Sequence, residues 1–406
     1  MKILLTHRYF WPDSPPYAII LKKIATRLAA DGHDVTVLST QPSYKMEQNL
    51  QTQAKLESID GYQVRRLSLL PNRILVPKIV NSINMFLYFV LVLGHGIKNR
   101  NYDVVMNATS PPILAGLAGR LVATFSNAKH YYHLMDIHPE IGRISGEFSK
   151  RWLFNLLLRI DSYVCNKADH IFVLSEDMKS ALLARPSYQQ TEISVIQNFD
   201  LNVTTSLTQE SGLQEYLKKK DIFRIIFAGN IGRFQNLEAI VDAFLEANPT
   251  NIQLVLLGDG KIKNNLIELV NRRGGNSVIF FPHQTVENAN IIIRNADMGL
   301  ISLTPGIYQF AYPTKLISYL SVDCPIIAVV EEQSVLANFI NEKNIGFSIN
   351  PENISDVVQV AQKIINDKGK INKFSESAKA TYEEYFKEQP VLDKWSDIFR
   401  NSTTEQ

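Results

Sequence analysis

One pattern organises the chain: short apolar runs alternate with stretches of helical periodicity. "KILLTH" (2–7) predicts a buried strand, and "YAIILKKIATRLAADGH" follows it with Ile20, Ile24 and Leu28 at helical spacing before a glycine-containing stop. Further strands are expected at 34–40, 62–67, 103–109, 129–136 and 170–175, with helices at 113–125 and 151–168. Near-continuously apolar strands spaced by helices mark a parallel, doubly wound α/β sheet. After "ISVIQNFDLN" a polar stretch (203–221) interrupts the pattern. The alternation then restarts with "RIIFAGN", "IQLVLLGDG" (252–260), "SVIFFPH" (277–283), "MGLISL" (298–303) and "CPIIAVV" (324–330). A chain of 406 residues is too long for one ordinary core. We expect two Rossmann-like domains at 1–205 and 222–385, a linker at 206–221 and a tail at 386–406 packing back on the first domain. Sheets of this kind bind ligands at the carboxyl ends of their strands, so the site is expected in a cleft where the two sets of strand ends face each other.

Several classes are excluded early. Hydrophobic residues at 45% and charged residues at 20% describe an ordinary soluble globular protein. Two cysteines, Cys165 and Cys324, without close Cys or His partners give neither a disulfide framework nor a zinc signature. The opening apolar run is too short for a signal peptide and has no small-residue cleavage site, so a cytoplasmic compartment is expected. The loop after the first strand, "HRYFWPDSPPY", holds no glycine, so the dinucleotide fingerprint G-x-G-x-x-G fails where it should stand, and no G-x-x-x-x-G-K-[ST] occurs. No D-x-D occurs either, which argues against a metal-chelated diphosphate. Nothing in the basic and aromatic content adds up to a nucleic-acid stacking motif.

The informative loop is "FAGNIGRFQN". Gly229, Asn230, Gly232 and Arg233 lie where an apolar strand gives way to the helical pattern "LEAIVDAFLEA". Glycines let backbone approach a phosphate, helix amides point at it, and Arg233 adds a fork of donors. A tight turn with an exposed arginine is the other reading of this loop alone. A second pair, Gly258 and Gly260, follows the next strand and carries Lys261 and Lys263, and Lys315 opens the apolar helix in "YPTKLISYLSVDCPII". Together these cations make a candidate clamp for a nucleotide diphosphate.

At this point the motifs resemble the retaining GT-B glycosyltransferases of family 4, and the resemblance runs nearly the length of the chain. "YFWPDSPPYAIILKKIATRLAADGHDVTVLS" is similar to the family's opening strand, acceptor-side loop and G-H-x-V-x-V-L turn. "YDVVMNATSPPILAGLAGRL" and "LMDIHPE" resemble segments of its O-antigen and capsule members, and "ADHIFVLSEDMKSAL" with "ISVIQNFD" matches the end of the first domain. "FAGNIGRFQNLEAIVDAF", "LVLLGDGKIKNNL" and "YPTKLISYLSVDCPII" match successive landmarks of the donor-binding lobe. The resemblance implies a nucleotide-sugar donor on the second domain, uridine-linked by default, and an acceptor on the first. A hexosyl- or N-acetylhexosaminyl-transferase with no cofactor and no metal is implied. Arg233 and Lys263 stand where the family's diphosphate-binding cations stand, joined by Gly229, Asn230, Gly232, Gly258, Lys315, Tyr308 and Ser318 in the donor site. Pro16, Tyr17 and Ser110 fall on the acceptor side. Asp136 and Glu140 follow a strand end, where a carboxylate can bind or deprotonate the acceptor hydroxyl, although Asp136 also reads as a helix N-cap. His133 reads either as a contact to the donor sugar or as a core histidine.

The departures matter as much. The family's ribose-binding Glu is replaced by Ser318, the Glu eight residues earlier by Phe310, and a turn glycine by Asp323. Either Tyr308 or Asp323 takes over, or donor binding differs. A nucleotide-sugar 2-epimerase and a catalytically silent subunit that binds a partner transferase therefore stay open as alternatives.

Between Gly61 and Tyr102 no Asp or Glu occurs, while Arg65, Arg66, Arg73, Lys78, Lys98 and Arg100 surround the apolar run 83–97. Fifteen residues are too few to span a bilayer, for which about 20 are needed. A cation-flanked segment of this kind suits an anionic membrane surface, the inner face of the cell membrane, and fits an acceptor saccharide carried on a polyprenyl diphosphate. A buried helix explains the apolar run but not the missing acids. The sugar, the linkage and the oligomeric state are not written in these motifs.

Overall fold

The computed structural model describes residues 1–13, 15–43, 52–71, 77–186, 188, 191–201 and 222–404. The expected linker 206–221, Arg73 and the Lys78 side chain lie outside the described residues. By its contacts the chain divides into two units: Met1–Leu201 with Glu388–Gln406, and Asn202–Lys387.

The first unit is built on an eight-stranded sheet in the order β3-β4-β2-β1-β5-β6-β7-β8. The strands are β1 (Lys2–Thr6), β2 (Asp34–Thr40), β3 (Leu56–Ile59), β4 (Tyr62–Leu67), β5 (Val104–Ala108), β6 (Lys129–His133), β7 (His170–Val173) and β8 (Glu192–Val195). All neighbours pair in parallel except β3, which runs antiparallel to β4 at the edge. β1 shows why an uninterrupted apolar run is required. Its Ile3 and Leu5 pack on one face with Ile20, Ile24 and Leu28 of the helix Pro16–Ala30, and with Trp395 and Phe399 of the C-terminal helix Glu388–Thr404. Leu4 points to the other face, against Tyr88 and Val92 of the helix Pro77–Lys98 and Ala118 and Val122 of the helix Leu114–Ser126. Each such buried aliphatic side chain contributes roughly 1.5–3 kcal/mol.

The apolar segment expected at 83–97 is longer than its sequence pattern indicated. It forms part of a 22-residue helix, Pro77–Lys98, with proline at its first position, where the missing N–H is unpaired anyway. Its stretch Ile79–Lys98 is long and apolar enough to cross a membrane by length and composition, and 33% of that window is buried.

The second unit carries a six-stranded, wholly parallel sheet in the order β11-β10-β9-β12-β13-β14. Its strands are β9 (Phe223–Ala228), β10 (Ile252–Leu257), β11 (Val278–Phe281), β12 (Met298–Ser302), β13 (Ile326–Val329) and β14 (Gly346–Ile349). Asp323, in the turn leading into β13, has φ 59°, the conformation for which the expected glycine is suited. That turn sits at the amino end of β13, so Asp323 lies at the opposite end of the sheet from the loops after β9 and β10. It cannot replace the missing donor-site carboxylates.

Candidate functional site

The loops after β9 and β10 interlock. Gly229 N–H donates to Leu257 O (2.9 Å), Ile231 N–H to Asp259 O (2.8 Å), and Ile262 N–H to Ile231 O (3.3 Å). Two glycines make this approach possible. A Cβ on Gly258, whose φ is 141°, would stand 2.0 Å from Gly229 O, and one on Gly260 would stand 2.1 Å from Ile231 O. Gly258 therefore makes room for the neighbouring loop. Gly229 makes room for Lys315: a Cβ there would lie 3.0 Å from Lys315 Cε and 3.4 Å from Nζ. Gly232 N–H donates to Gln235 Oε1 (3.1 Å), and the Asn230 amide folds over Gly232, 2.8 Å from where a Cβ would stand. The loop leads into a 3₁₀ turn, Arg233–Gln235, and only beyond Asn236 into the helix Leu237–Ala247.

The cations divide into two kinds. Lys263 Nζ donates to Gly258 O at 2.7 Å and lies 3.5 Å from Asp259 Oδ1, so it ties down the second loop instead of standing free for a diphosphate. Arg233 is exposed and Lys315 half-buried, and neither pairs with a carboxylate among the described residues. Lys315 opens the helix Lys315–Leu320 beside Gly229, with Nζ 4.6 Å from the centre of the Phe227 ring. Burial lowers its ammonium from 10.5 to about 8. An unpaired, partly desolvated ammonium beside an exposed guanidinium-bearing turn is a place for an anion.

The loop after β12 closes the same corner of the unit. Thr304 N–H donates to Phe234 O (2.8 Å) and its Oγ1 to Arg233 O (3.0 Å). Tyr308 accepts from the side chains of Gln309 and Gln333, each at 3.2 Å. Ser318 is exposed, one helical turn after Lys315. Sequence reasoning missed Glu331, the first polar residue after the apolar run of β13. Its Oε1 accepts from Gly306 N–H at 2.6 Å, while Oε2 is buried with no hydrogen-bond partner among the described residues. The strand-end rule applied to β13 would have found it.

In the first unit, Asp136 and Glu140 follow β6 but differ in state. The Asp136 carboxylate makes no ion pair or hydrogen bond with the described residues, and burial raises it to about 6. Both Glu140 oxygens are held by Arg185, through Nε at 2.9 Å and Nη2 at 2.8 Å. Arg185 also donates to Asp161 Oδ2 (2.7 Å) and to His138 O (2.9 Å). Burial opposes the Arg185 charge, but Asp161, Cys165 and Glu140 outweigh it and hold the guanidinium above its ordinary value. Arg185, which no motif pointed to, thus pins the loop that carries Asp136, and Glu140 is a structural anchor rather than a free carboxylate.

His133 is enclosed in the first unit. It is 1% exposed, its Nδ1 lies 2.9 Å from Tyr17 Oη, and its ring packs 5.0 Å from that of Trp395. Burial, and then the neighbouring His7, lowers it to about 3, so it is neutral. Its Nε2 is buried without a hydrogen-bond partner among the described residues. Of the acceptor-side residues, Tyr17 is buried in that contact, Pro16 is exposed at the first turn of its helix, and Ser110 is half-buried with its carbonyl accepting from Arg8 N–H (3.4 Å).

Residues 18–199 match the sequence profile of Glycosyltransferase Family 4, and residues 208–381 that of Glycosyl transferases group 1. The probable glycosyltransferase WbjE of Pseudomonas aeruginosa is 24% identical over 299 residues, 72% of this chain and 72% of its own. The putative colanic acid biosynthesis glycosyl transferase WcaI of Escherichia coli K12 is 22% identical over 389 residues, covering 88% and 90%. Among solved structures, Anabaena HepE in complex with UDP superposes with a TM-score of 0.72 at 17% identity, covering 99% of this chain and 100% of that one. HepE has also been solved with UDP-glucose. Two profiles in series over two Rossmann-like units place the chain in the family: it is a family-4 glycosyltransferase of the GT-B fold.

Proposed function

We propose that the protein moves a sugar, with retention, from a uridine diphosphate sugar to a lipid-linked saccharide during surface polysaccharide synthesis. The observation that carries this reading is Lys315, a partly buried ammonium with no carboxylate partner among the described residues, beside Gly229 in the loop that leads to Arg233. Arg233 and Lys315 would neutralise the charge that develops on the diphosphate as the sugar C1–O bond breaks, so the reading calls for no metal. The acceptor oxygen bonds to C1, and its proton passes to the departing phosphate oxygen or to Asp136, whose raised pKa suits a base near neutrality. Glu331 is the carboxylate available to donor hydroxyls where Ser318 and Phe310 offer none. UDP in HepE and the polysaccharide-related name of WcaI support the donor and the pathway class.

The acceptor's lipid is read from the surface of the first unit. The helix Pro77–Lys98 exposes Ile79, Ile83, Phe86, Val90 and Ile97, a stripe at helical spacing. The helix Arg151–Lys167 exposes Trp152, Leu156 and Tyr163, and Leu114–Ser126 packs against both, with Phe125 exposed. The only acidic residue in these three helices is Asp161, 1% exposed and paired with Arg185, while Lys98, Arg120, Arg151, Arg159 and Lys167 supply positive charge. Apolar stripes among cations, with no exposed acid, suit the surface of an anionic membrane.

The test is thermal stabilisation by UDP, GDP, ADP and CMP, each with and without EDTA, followed by transfer assays with the matching nucleotide sugars. Stabilisation by UDP alone, unchanged by EDTA and lost in Arg233→Ala, is expected. Full transfer activity in a folded Arg233→Ala protein would overturn the clamp.

A further inference from the structure

Arg8 follows β1 at its carboxyl end, and its backbone is fixed on both sides. Its N–H donates to Ser110 O after β5, and its carbonyl accepts from Thr40 Oγ1 (2.7 Å) and Ser39 Oγ (3.1 Å) at the end of β2. The side chain is 7% exposed and lies over the Tyr9 ring, 5.2 Å from its centre. Its Nε is buried with no hydrogen-bond partner among the described residues, and no carboxylate among them pairs with it. Asp13, further along the same loop, accepts from Ser43 N–H at 2.9 Å. A lysine in such a place can shed its proton, but an arginine keeps its charge at any physiological pH. A rigidly held guanidinium whose Nε finds no acceptor among the described residues is a place for an incoming anion.

The neighbourhood says which anion. The Arg8 charge acts on the Tyr88 phenol, which burial pushes up and Arg8 pulls back. Tyr88 is on the inward side of the helix Pro77–Lys98, whose outward side carries the apolar stripe from Ile79 to Ile97. An anionic group beside Arg8 is thus one helix away from a surface made for lipid chains. The planar guanidinium fork matches a phosphoryl group in two-point contact. Resting on the lipid-linked acceptor proposed above, we infer that Arg8 is the acceptor-side phosphate site, gripping a phosphoryl oxygen of a prenyl diphosphate whose chain lies along the apolar helix.

The test titrates geranyl diphosphate and inorganic pyrophosphate into the full-length protein, with saturating UDP present to fill the donor site, and compares wild type with Arg8→Gln and Arg8→Lys. Wild type is expected to bind geranyl diphosphate more tightly than pyrophosphate. Arg8→Gln should weaken geranyl diphosphate about tenfold or more, and Arg8→Lys should fall between. UDP affinity should be the same in all three proteins, which reports that the fold is intact. If Arg8→Gln fails to bind UDP, the Arg8→Lys comparison carries the result. Equal geranyl diphosphate affinity in wild type and variant, no binding to wild type, or equal binding of pyrophosphate would each overturn the site. Failure of UDP to bind wild type would count against the donor reading instead, and the geranyl diphosphate titration would still decide on Arg8.

Discussion

Replacing Lys315 by methionine separates what this residue does for the fold from what it does for the ligand. Burial lowers its ammonium from 10.5 to about 8, so near neutral pH the folded state carries a charge that the unfolded chain holds more easily. Converted at about 1.4 kcal/mol per pKa unit, that drop is roughly 3 kcal/mol. The contact with the Phe227 ring offsets roughly 0.5–2 kcal/mol of it. Lys315→Met should therefore make the ligand-free protein more stable at pH 7 by about 1–2 kcal/mol, which is about 2–8 °C in melting temperature for a unit of this size. The sign with pH is fixed. The folded value lies below the unfolded one, so the penalty is complete below pH 8 and disappears as pH rises through 10.5. The advantage of the variant should shrink between pH 7 and pH 10 accordingly. UDP should show the reverse. A charge-assisted contact to phosphate contributes about 1.5–3 kcal/mol, so the variant should bind UDP about ten- to a hundredfold more weakly. Wild-type affinity should hold steady below about pH 8 and fall above it. Calorimetric melting with and without UDP reads both effects. A variant that is less stable at pH 7 and binds UDP normally would refute the reasoning.

Asp136 has the opposite charge and the same logic. Its carboxyl is raised to about 6, so transfer should fall as pH drops below 6, and Asp136→Asn should slow transfer about 10²–10⁴-fold and remove that acid limb in a pH–rate profile. Arg185→Met leaves Asp161 and Glu140 buried without their cation, and should cost about 3–5 kcal/mol in a denaturant melt. The single changes Phe86→Glu and Trp152→Glu, at 61% and 64% exposed positions, should leave UDP stabilisation intact and reduce co-sedimentation with phosphatidylglycerol vesicles.

What the sequence displayed and what it hid follow from range. Strands such as Ile3–Leu5 and Leu254–Leu257 are apolar on both faces, so their pattern is visible without knowing any neighbour. Leu56–Ile59 is an edge strand with half-polar residues and carries no such mark. The helix Pro77–Lys98 reaches back past the apolar run that announces it, and its start was signalled only by a proline at the first position. The glycines of the two loops were legible for the same local reason, but not what each one makes room for. Gly258 and Gly229 look alike in a line of letters, yet one accommodates a backbone carbonyl and the other a lysine side chain.

The charged residues sharpen the point, because their chemistry depends on partners far along the chain. Lys263 and Lys315 each open a helix of the second unit, and the family resemblance favours Lys263. Only the fold shows that the first donates to Gly258 O while the second has no carboxylate beside it among the described residues. Glu140 and Asp136 divide in the same way, because Arg185 reaches across from the end of another helix to take the first and leaves the second alone. In each pair the residue with satisfied partners holds a loop in place, and its neighbour keeps a charge that burial disfavours. Such charges persist where a ligand repays them, which is why Lys315 and Asp136, each at a cost in stability, are where the chemistry is assigned.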